Sequence, residues 1–222
     1  MYFDLHNHSL ISRDGHDSVE EVVENAIRCG LDQIGITDHN YCVFRHRLDD
    51  YRRVIYRLRE RYADKIQVLC GLEYSLVHPT DIEVEDLDVF DYCLFEYFDH
   101  KMSVQEMAEI RQRTSCPAGF AHIDIFELSE KDQVDAAQVM VENNIFWEIN
   151  MNYDRIHGYR EHQYCIDLMS DPEKQAHVRD AGLALSVGSD NHILLDYKKE
   201  RIYSACDFIS EHGLRMVNLQ YR

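Results

Sequence analysis

Proline is scarce in this chain of 222 residues, with three, and glycine is sparse, with nine. No Pro/Gly/Ser-rich linker, low-complexity tract or internal repeat interrupts it, so a single domain over residues 1–222 is expected. No apolar run approaches the roughly 18 residues that a membrane helix requires. The N-terminal MYFDLHNHS lacks the basic segment and long apolar core of a secretory leader. Cysteine occurs seven times, an odd number at wide spacing and without a CxxC pair. That argues against a disulfide framework or a thiolate zinc site and for a reducing cytoplasm. Positive charge is short as well: 23 Lys and Arg face 41 Asp and Glu, for a formal net charge of -18. Stable nucleic-acid binding needs clustered basic surface and is not expected. The basic residues present cluster between Arg45 and Lys65, where the plain reading is a solvated helix face laced with ion pairs.

What the chain has is an alternation of short β-type runs and helical patterns. The runs fall at 2–5, 33–37, 66–73, 90–96, 118–122, 145–149 and 183–187. Ser18 with Glu21 forms a capping box before an apolar face of Val19, Val22, Val23, Ala26 and Ile27, and Gly30 ends that helix. Ser103 with Glu106 repeats the signal, and further helices are expected near 45–63, 132–143, 161–180 and 199–211. Such alternation implies βαβ units and a parallel sheet. The expected fold is α/β, a seven-stranded (β/α) barrel of the TIM-like kind; a doubly wound open sheet has the same periodicity.

In such a barrel, functional residues stand at the C-terminal ends of the strands. The first strand ends in FDLHNHS with His6 and His8, and the last leads into GSDNH with Asp190 and His192. Residues i and i+2 of a strand point the same way, so each pair aims two ligand-type side chains at one place. Between them lie Asp38 and His39, then Glu73, Glu96 and His122, then Glu148 and Asn150. Nitrogen and carboxylate ligands presented together suit a divalent metal.

Each candidate has a plainer alternative. A lone histidine is more often a hydrogen-bonded structural residue, but His39 and His122 gain weight from the paired motifs around them. Glu73 ends an apolar strand, where an unpaired carboxylate would be costly. Asp14, in SRDG, is equally a turn residue. Asp38 reads as a residue that orients a ligating histidine through its other ring nitrogen. His16, His46, His78, His100, His157, His162, His177 and His212 lack strand-end placement and read mostly as surface residues. Arg155 and Arg160, after the sixth strand, and Arg45, close behind His39, are the substrate-gripping candidates, with ordinary surface arginines as the alternative.

Taken in order, these motifs closely resemble the PHP (polymerase and histidinol phosphatase) family of metal-dependent phosphoesterases. The carrying segments are His6 and His8, TDHN at His39, GLE at Glu73, AHID at His122, and Asp190 with His192. The resemblance implies a distorted seven-stranded barrel with two or three divalent ions of zinc, manganese or iron. It places His6, His8, Glu73 and Asp190 on one ion and lets Glu73 bridge to a second with His122. A third would be held by His39, His192 and Asp14. The fourth-strand segment DYCLFEYF departs from the pattern, placing Phe98 where members of the family carry a histidine. Glu96 has the same strand parity and is the expected replacement, with His100 as runner-up; an oxygen-richer site leans towards manganese or iron.

The implied activity is hydrolysis of a small phosphomonoester or nucleotide by a metal-activated hydroxide in a di- or trinuclear site. Glu73, Asp190 and His192 stand closest to the chemistry, and His192 or Asp14 is the candidate donor of a proton to the leaving group. Two other classes compete. An amidohydrolase-type C–N hydrolase would use similar ligands but commonly a carbamylated lysine, and no strand end supplies a lysine. A metal-binding module with a degraded site finds its support in the altered fourth strand.

Overall fold

The computed structural model describes residues 1–96 and 102–222. Phe98 and His100, and with them the question of what replaces the expected histidine beyond Glu96, lie outside the described residues.

Eight parallel strands run in chain order through one sheet. They are β1 (Phe3–Asp4), β2 (Gln33–Ile36), β3 (Gln67–Ser75), β4 (Tyr92–Glu96), β5 (Ala118–Phe120), β6 (Ile145–Asn150), β7 (Ala184–Gly188) and β8 (Arg215–Met216). The sequence predicts seven. β8 is two residues long, and Arg215 is exposed, so no apolar run announces it. It pairs with the lower end of β7, at Ala184 and Leu185. The upper end of β7 turns to the first strand instead: the Leu5 amide donates to the Val187 carbonyl (2.8 Å) and Asn7 pairs with Asn191. The two ends of the sheet meet at its C-terminal edge, which gives the distorted (β/α) barrel.

The helices are α1 (Val19–Cys29), α2 (Leu48–Arg61), α3 (Val104–Arg111), α4 (Ile125–Asp132), α5 (Ala136–Glu142), α6 (Gln163–Ser170), α7 (Pro172–Ala181) and α8 (Lys199–Glu211). Both predicted capping boxes form, at Ser18 with Glu21 and at Ser103 with Glu106. The predicted helix 161–180 is broken in two. The Asp171 side chain caps the amides of Glu173 and Lys174, and Pro172 opens α7, a position where its missing N–H costs nothing. The basic face of α2 is largely paired as expected, with Arg53 on Asp50, Arg52 on Asp49 and Arg61 on Glu20.

Residues of β1 to β7 are buried on both faces almost throughout, as a parallel sheet covered by helices requires. Inside the barrel the Tyr92 ring lies across the floor beneath the strand ends and donates to the Leu5 carbonyl (2.6 Å). A Cβ at Gly71 would stand 2.6 Å from its Cζ, so only a glycine leaves room for that ring. No helix among the described residues is long and apolar enough to cross a membrane.

Candidate metal centre

The sequence-predicted ligands stand at the C-terminal end of the barrel, all but Asp14 at or just past a strand and Asp14 in the loop between β1 and α1. Asp14, His39, Glu73, Glu96, His122, Asp190 and His192 line one cleft of about 360 Å³ together with Tyr41, Ile156, His157 and His162. His6 and His8 form its base and are fully buried. The chain extends beyond β2 to bring His39 into parallel register with Glu73. Two of the ligand candidates, His122 (φ 37) and Asp190 (φ 51), hold a left-handed backbone that non-glycine residues rarely adopt. Such strain persists where surrounding structure enforces it, and here it turns both side chains inward.

The ring nitrogens are oriented by their far sides. His6 Nδ1 lies 2.7 Å from Glu148, a carboxylate that also accepts from the His122 amide and from Asn150. His192 Nδ1 faces the Asp190 carbonyl at 2.9 Å. His8 Nδ1 reaches the Ser12 hydroxyl at 3.3 Å, and that hydroxyl donates to Asp38. Here the structure corrects the expectation for Asp38. Its carboxylate touches no histidine ring; it accepts from the amides and hydroxyls of Ser9 and Ser12, and acts on His8 through Ser12.

With the Nδ1 atoms engaged, the Nε2 atoms converge. His6 Nε2 and His8 Nε2 are 3.1 Å apart. Asp190 Oδ1 stands 3.4 Å from the first and 3.2 Å from the second. Glu73 Oε1 lies 3.3 Å from His6 and 3.0 Å from His122, while Oε2 lies 3.3 Å from His8 and 2.8 Å from His39 Nδ1. Around a tetrahedral ion with ligand bonds of about 2.0–2.1 Å, neighbouring ligand atoms stand about 3.3–3.4 Å apart. The spacing therefore fits a metal. So do the buried atoms left without a hydrogen bond: His39 Nδ1, Glu73 Oε2, Glu96 Oε1 and Asp14 Oδ1. His39 and Glu73 approach to 2.8 Å while misaligned for a hydrogen bond, as ligands of one ion do. Among the described residues four ligand groups emerge: His6, His8 and Asp190; His8, His39 and His192; His39, Glu73 and Glu96; and, at the edge of the cleft, Asp154, His157 and His192.

The electrostatics follow from packing acids and imidazoles together out of water. Burial opposes a charge on His6, but Glu148, Asp190 and Glu73 outweigh it and raise the ring well above its ordinary value. Burial and the neighbouring His192 hold His8 down to about 3. Burial also works against His39, which Glu73 and Asp14 nevertheless lift to about 11. Glu73 and Asp190 sit well below the carboxylate range despite burial, because His6 stands beside both. Burial and the Glu73 charge push Glu96 up to about 8. Asp14 is likewise depressed against its burial, by His39 and His192.

The three predicted phosphate-gripping arginines do not line the cleft. Arg155 makes a two-pronged ion pair with Asp196 (2.8 and 3.1 Å), and Arg45 pairs with Asp86 (2.8 Å). Arg160 is exposed on the same loop as Arg155. Among the described residues, no arginine or lysine lines the cleft. Sequence reasoning instead missed His157 and His162, which read as surface residues. His157 Nδ1 lies 2.8 Å from Asp154 and its Nε2 3.3 Å from Asp190 Oδ2. The signal was available: both histidines follow the C-terminal end of β6, and Asp154 stands one turn-length before His157.

The fold has solved relatives. A structure of histidinol phosphate phosphatase from Lactococcus lactis subsp. lactis Il1403 with zinc, L-histidinol and phosphate matches at TM-score 0.64 and 18% identity, over 99% of each chain. The candidate histidinol phosphatase of Listeria monocytogenes matches at TM-score 0.55 and 16% identity, over 91% of this chain and 99% of its own. A chain of an archaeal ribonuclease P, solved with mature tRNA, matches at TM-score 0.53 and 12% identity, over 95% and 91%. At these identities the likeness is one of fold. Among curated proteins, none matches this sequence. The family model for the PHP domain matches residues 4–212, and by that match the chain belongs to the PHP domain family.

Proposed function

We propose that the protein is a metal-dependent phosphatase that hydrolyses small phosphomonoesters. The observation that carries this reading is the spacing of His6, His8, Glu73 and Asp190, whose facing ligand atoms lie 3.1 to 3.4 Å apart at the base of an open cleft. His6, His8, Glu73 and Asp190 would hold one divalent ion, Glu73, His122 and Glu96 a second, and His39, His192 and Asp14 a third. Zinc, manganese and iron all suit these donors. Such ions, when bound, supply Lewis acidity, which neutralises phosphate charge and acidifies water to a nucleophile near neutral pH.

The chain's own residues prepare that chemistry. Glu148, the Asp190 carbonyl and Ser12 fix the tautomers of His6, His192 and His8, so that each presents Nε2 to the cleft. Glu73 offers one oxygen to the His6 and His122 side and the other to the His8 and His39 side. Since no lysine or arginine lines the cleft among the described residues, cations held by these ligands must offset the carboxylates before an anionic ester can enter. The cleft volume, about 360 Å³, suits a small ester rather than a polymer.

The Lactococcus relative contains L-histidinol and phosphate, which makes L-histidinol phosphate a natural first compound in a substrate panel. The test is a screen of phosphomonoesters, mononucleotides among them, with added manganese or zinc, alongside metal analysis of the purified protein. Release of phosphate that chelation abolishes and metal restores is the expected result. Fewer than one tightly bound ion per chain, with no turnover, would sink the proposal in favour of a degraded module.

A further inference from the structure

We infer that His157, held by Asp154, is a positioning residue that fixes which oxygen of Asp190 faces the metal centre. The inference rests on the metal-centre reading of the cleft and extends it to a loop residue outside the expected ligand set.

Asp190 divides its two oxygens between two environments. Oδ1 faces His6 Nε2 (3.4 Å) and His8 Nε2 (3.2 Å). Oδ2 faces away from them, towards His157 Nε2 (3.3 Å) and the Asn150 amide (3.4 Å). The far side of the His157 ring is anchored in turn, with Nδ1 2.8 Å from Asp154 Oδ1. Asp154 is buried at 4% exposure and also receives the His157 backbone amide (2.9 Å), so the ring is fixed at two points of one turn. A carboxylate with only one oxygen restrained swings easily, and its backbone here is already left-handed. Clamping Oδ2 sets the rotation and presents Oδ1 as the ligand atom.

A direct grip on substrate phosphate is the alternative role for His157, which lines the cleft. Both ring nitrogens already face carboxylate oxygens, so that role would require the ring to leave Asp190. The loop itself is braced against such movement, because Arg155 binds Asp196 through its guanidinium while its amide also approaches that carboxylate (3.3 Å).

The test uses the full-length protein, stripped by chelation and titrated calorimetrically with zinc or manganese alone. His157→Ala is expected to weaken ion binding roughly 10- to 100-fold, the usual effect of removing a partner that orients a ligand. His157→Gln, whose amide can still donate to Asp190, should recover much of that loss, which a merely structural role would not predict. The melting temperature of the stripped variants should stay close to that of the parent. Parental ion affinity in His157→Ala overturns the inference and leaves the phosphatase reading intact. If the Ala variant does not fold, His157→Gln and Asp154→Asn decide: affinities equal to the parent in both overturn it. Weakened ion binding in an otherwise folded protein that hydrolyses no phosphomonoester supports the positioning role and overturns the phosphatase reading. A parent that binds no ion overturns both.

Discussion

His6 and His8 face each other Nε2 to Nε2 across 3.1 Å, each with its Nδ1 already engaged, by Glu148 and by Ser12. Two neutral rings in that pose would oppose lone pair to lone pair. The contact is favourable only with a cation or a proton between them, and the high affinity of His6 for a proton beside the low affinity of His8 is the protonic version of that arrangement. A divalent ion bound there would therefore compete with a proton for one place.

The first expectation concerns pH. His122, lifted to about 9 against an ordinary 6.5, and Glu96, lifted to about 8 against 4.5, both bind protons more tightly folded than unfolded. In chelator-stripped protein each therefore contributes stability that is lost as pH rises, through 6.5 to 9 for His122 and through 4.5 to 8 for Glu96, with the depressed His8 and His162 opposing Glu96 below 6.5. Metal binding shows the opposite trend, because the ligands must shed those protons. Melting curves with and without zinc should diverge steadily between pH 6.5 and 9, and a constant gap would contradict the assignment.

On the proposed assignment His8→Ala and Glu73→Ala should each lose bound metal and turnover by at least about 100-fold, since both would remove a direct ligand rather than its partner. Metal content per chain and phosphate release are to be measured on the same preparation. Full activity in either variant would refute the metallo-hydrolase reading.

Gly188→Ala tests how closely the strand ends are packed. The added Cβ would lie 2.0 Å from Glu148 Oε1 and 2.5 Å from His6 Cβ, well inside contact distance. Overpacking of this kind typically costs about 1–3 kcal/mol, and here it must also displace the carboxylate that orients His6. Lower thermal stability together with weaker metal binding is expected, and a drop in stability alone would mean that Glu148 moves without consequence.

Arg155→Ala and Arg45→Ala should leave KM for a small phosphomonoester within about twofold, because both guanidinium groups are engaged by acids away from the cleft. Their partly exposed ion pairs contribute about 0–1 kcal/mol, so melting temperatures should barely move. A tenfold rise in KM would restore Arg45 to the phosphate site; for Arg155 it would do so only with ion affinity unchanged, since release of the loop that carries His157 would weaken both.

The convergence of His6, His8 and Asp190 was legible in the sequence because strand parity is a strict rule. His6 and His8 at i and i+2 had to share a face, and barrel closure had to bring Asp190 towards them. β8 was not legible, since two residues with one exposed carry no periodic signal. The Asp38 carboxylate sat at a readable position, but its partners, Ser9 and Ser12, are ordinary turn-type residues whose role depends on how the loop folds back. The arginines misled for a related reason: a guanidinium after a strand end suits phosphate and carboxylate equally, and Asp196 and Asp86 are distant in sequence. The break at Asp171 and Pro172, by contrast, is written plainly as a cap followed by proline.

Glu73 gives the centre a property that no single ligand has. Its Oε1 serves the His6 and His122 side while its Oε2 serves the His8 and His39 side. If ions bind on both sides as proposed, the first to arrive would order the carboxylate for the second, so that the entropy of ordering it is spent once. Loading should accordingly be cooperative, with a titration curve steeper than that of independent sites and little half-filled protein at any concentration. By the reciprocity of linked binding, an agent that draws off one ion loosens its neighbour by the same factor.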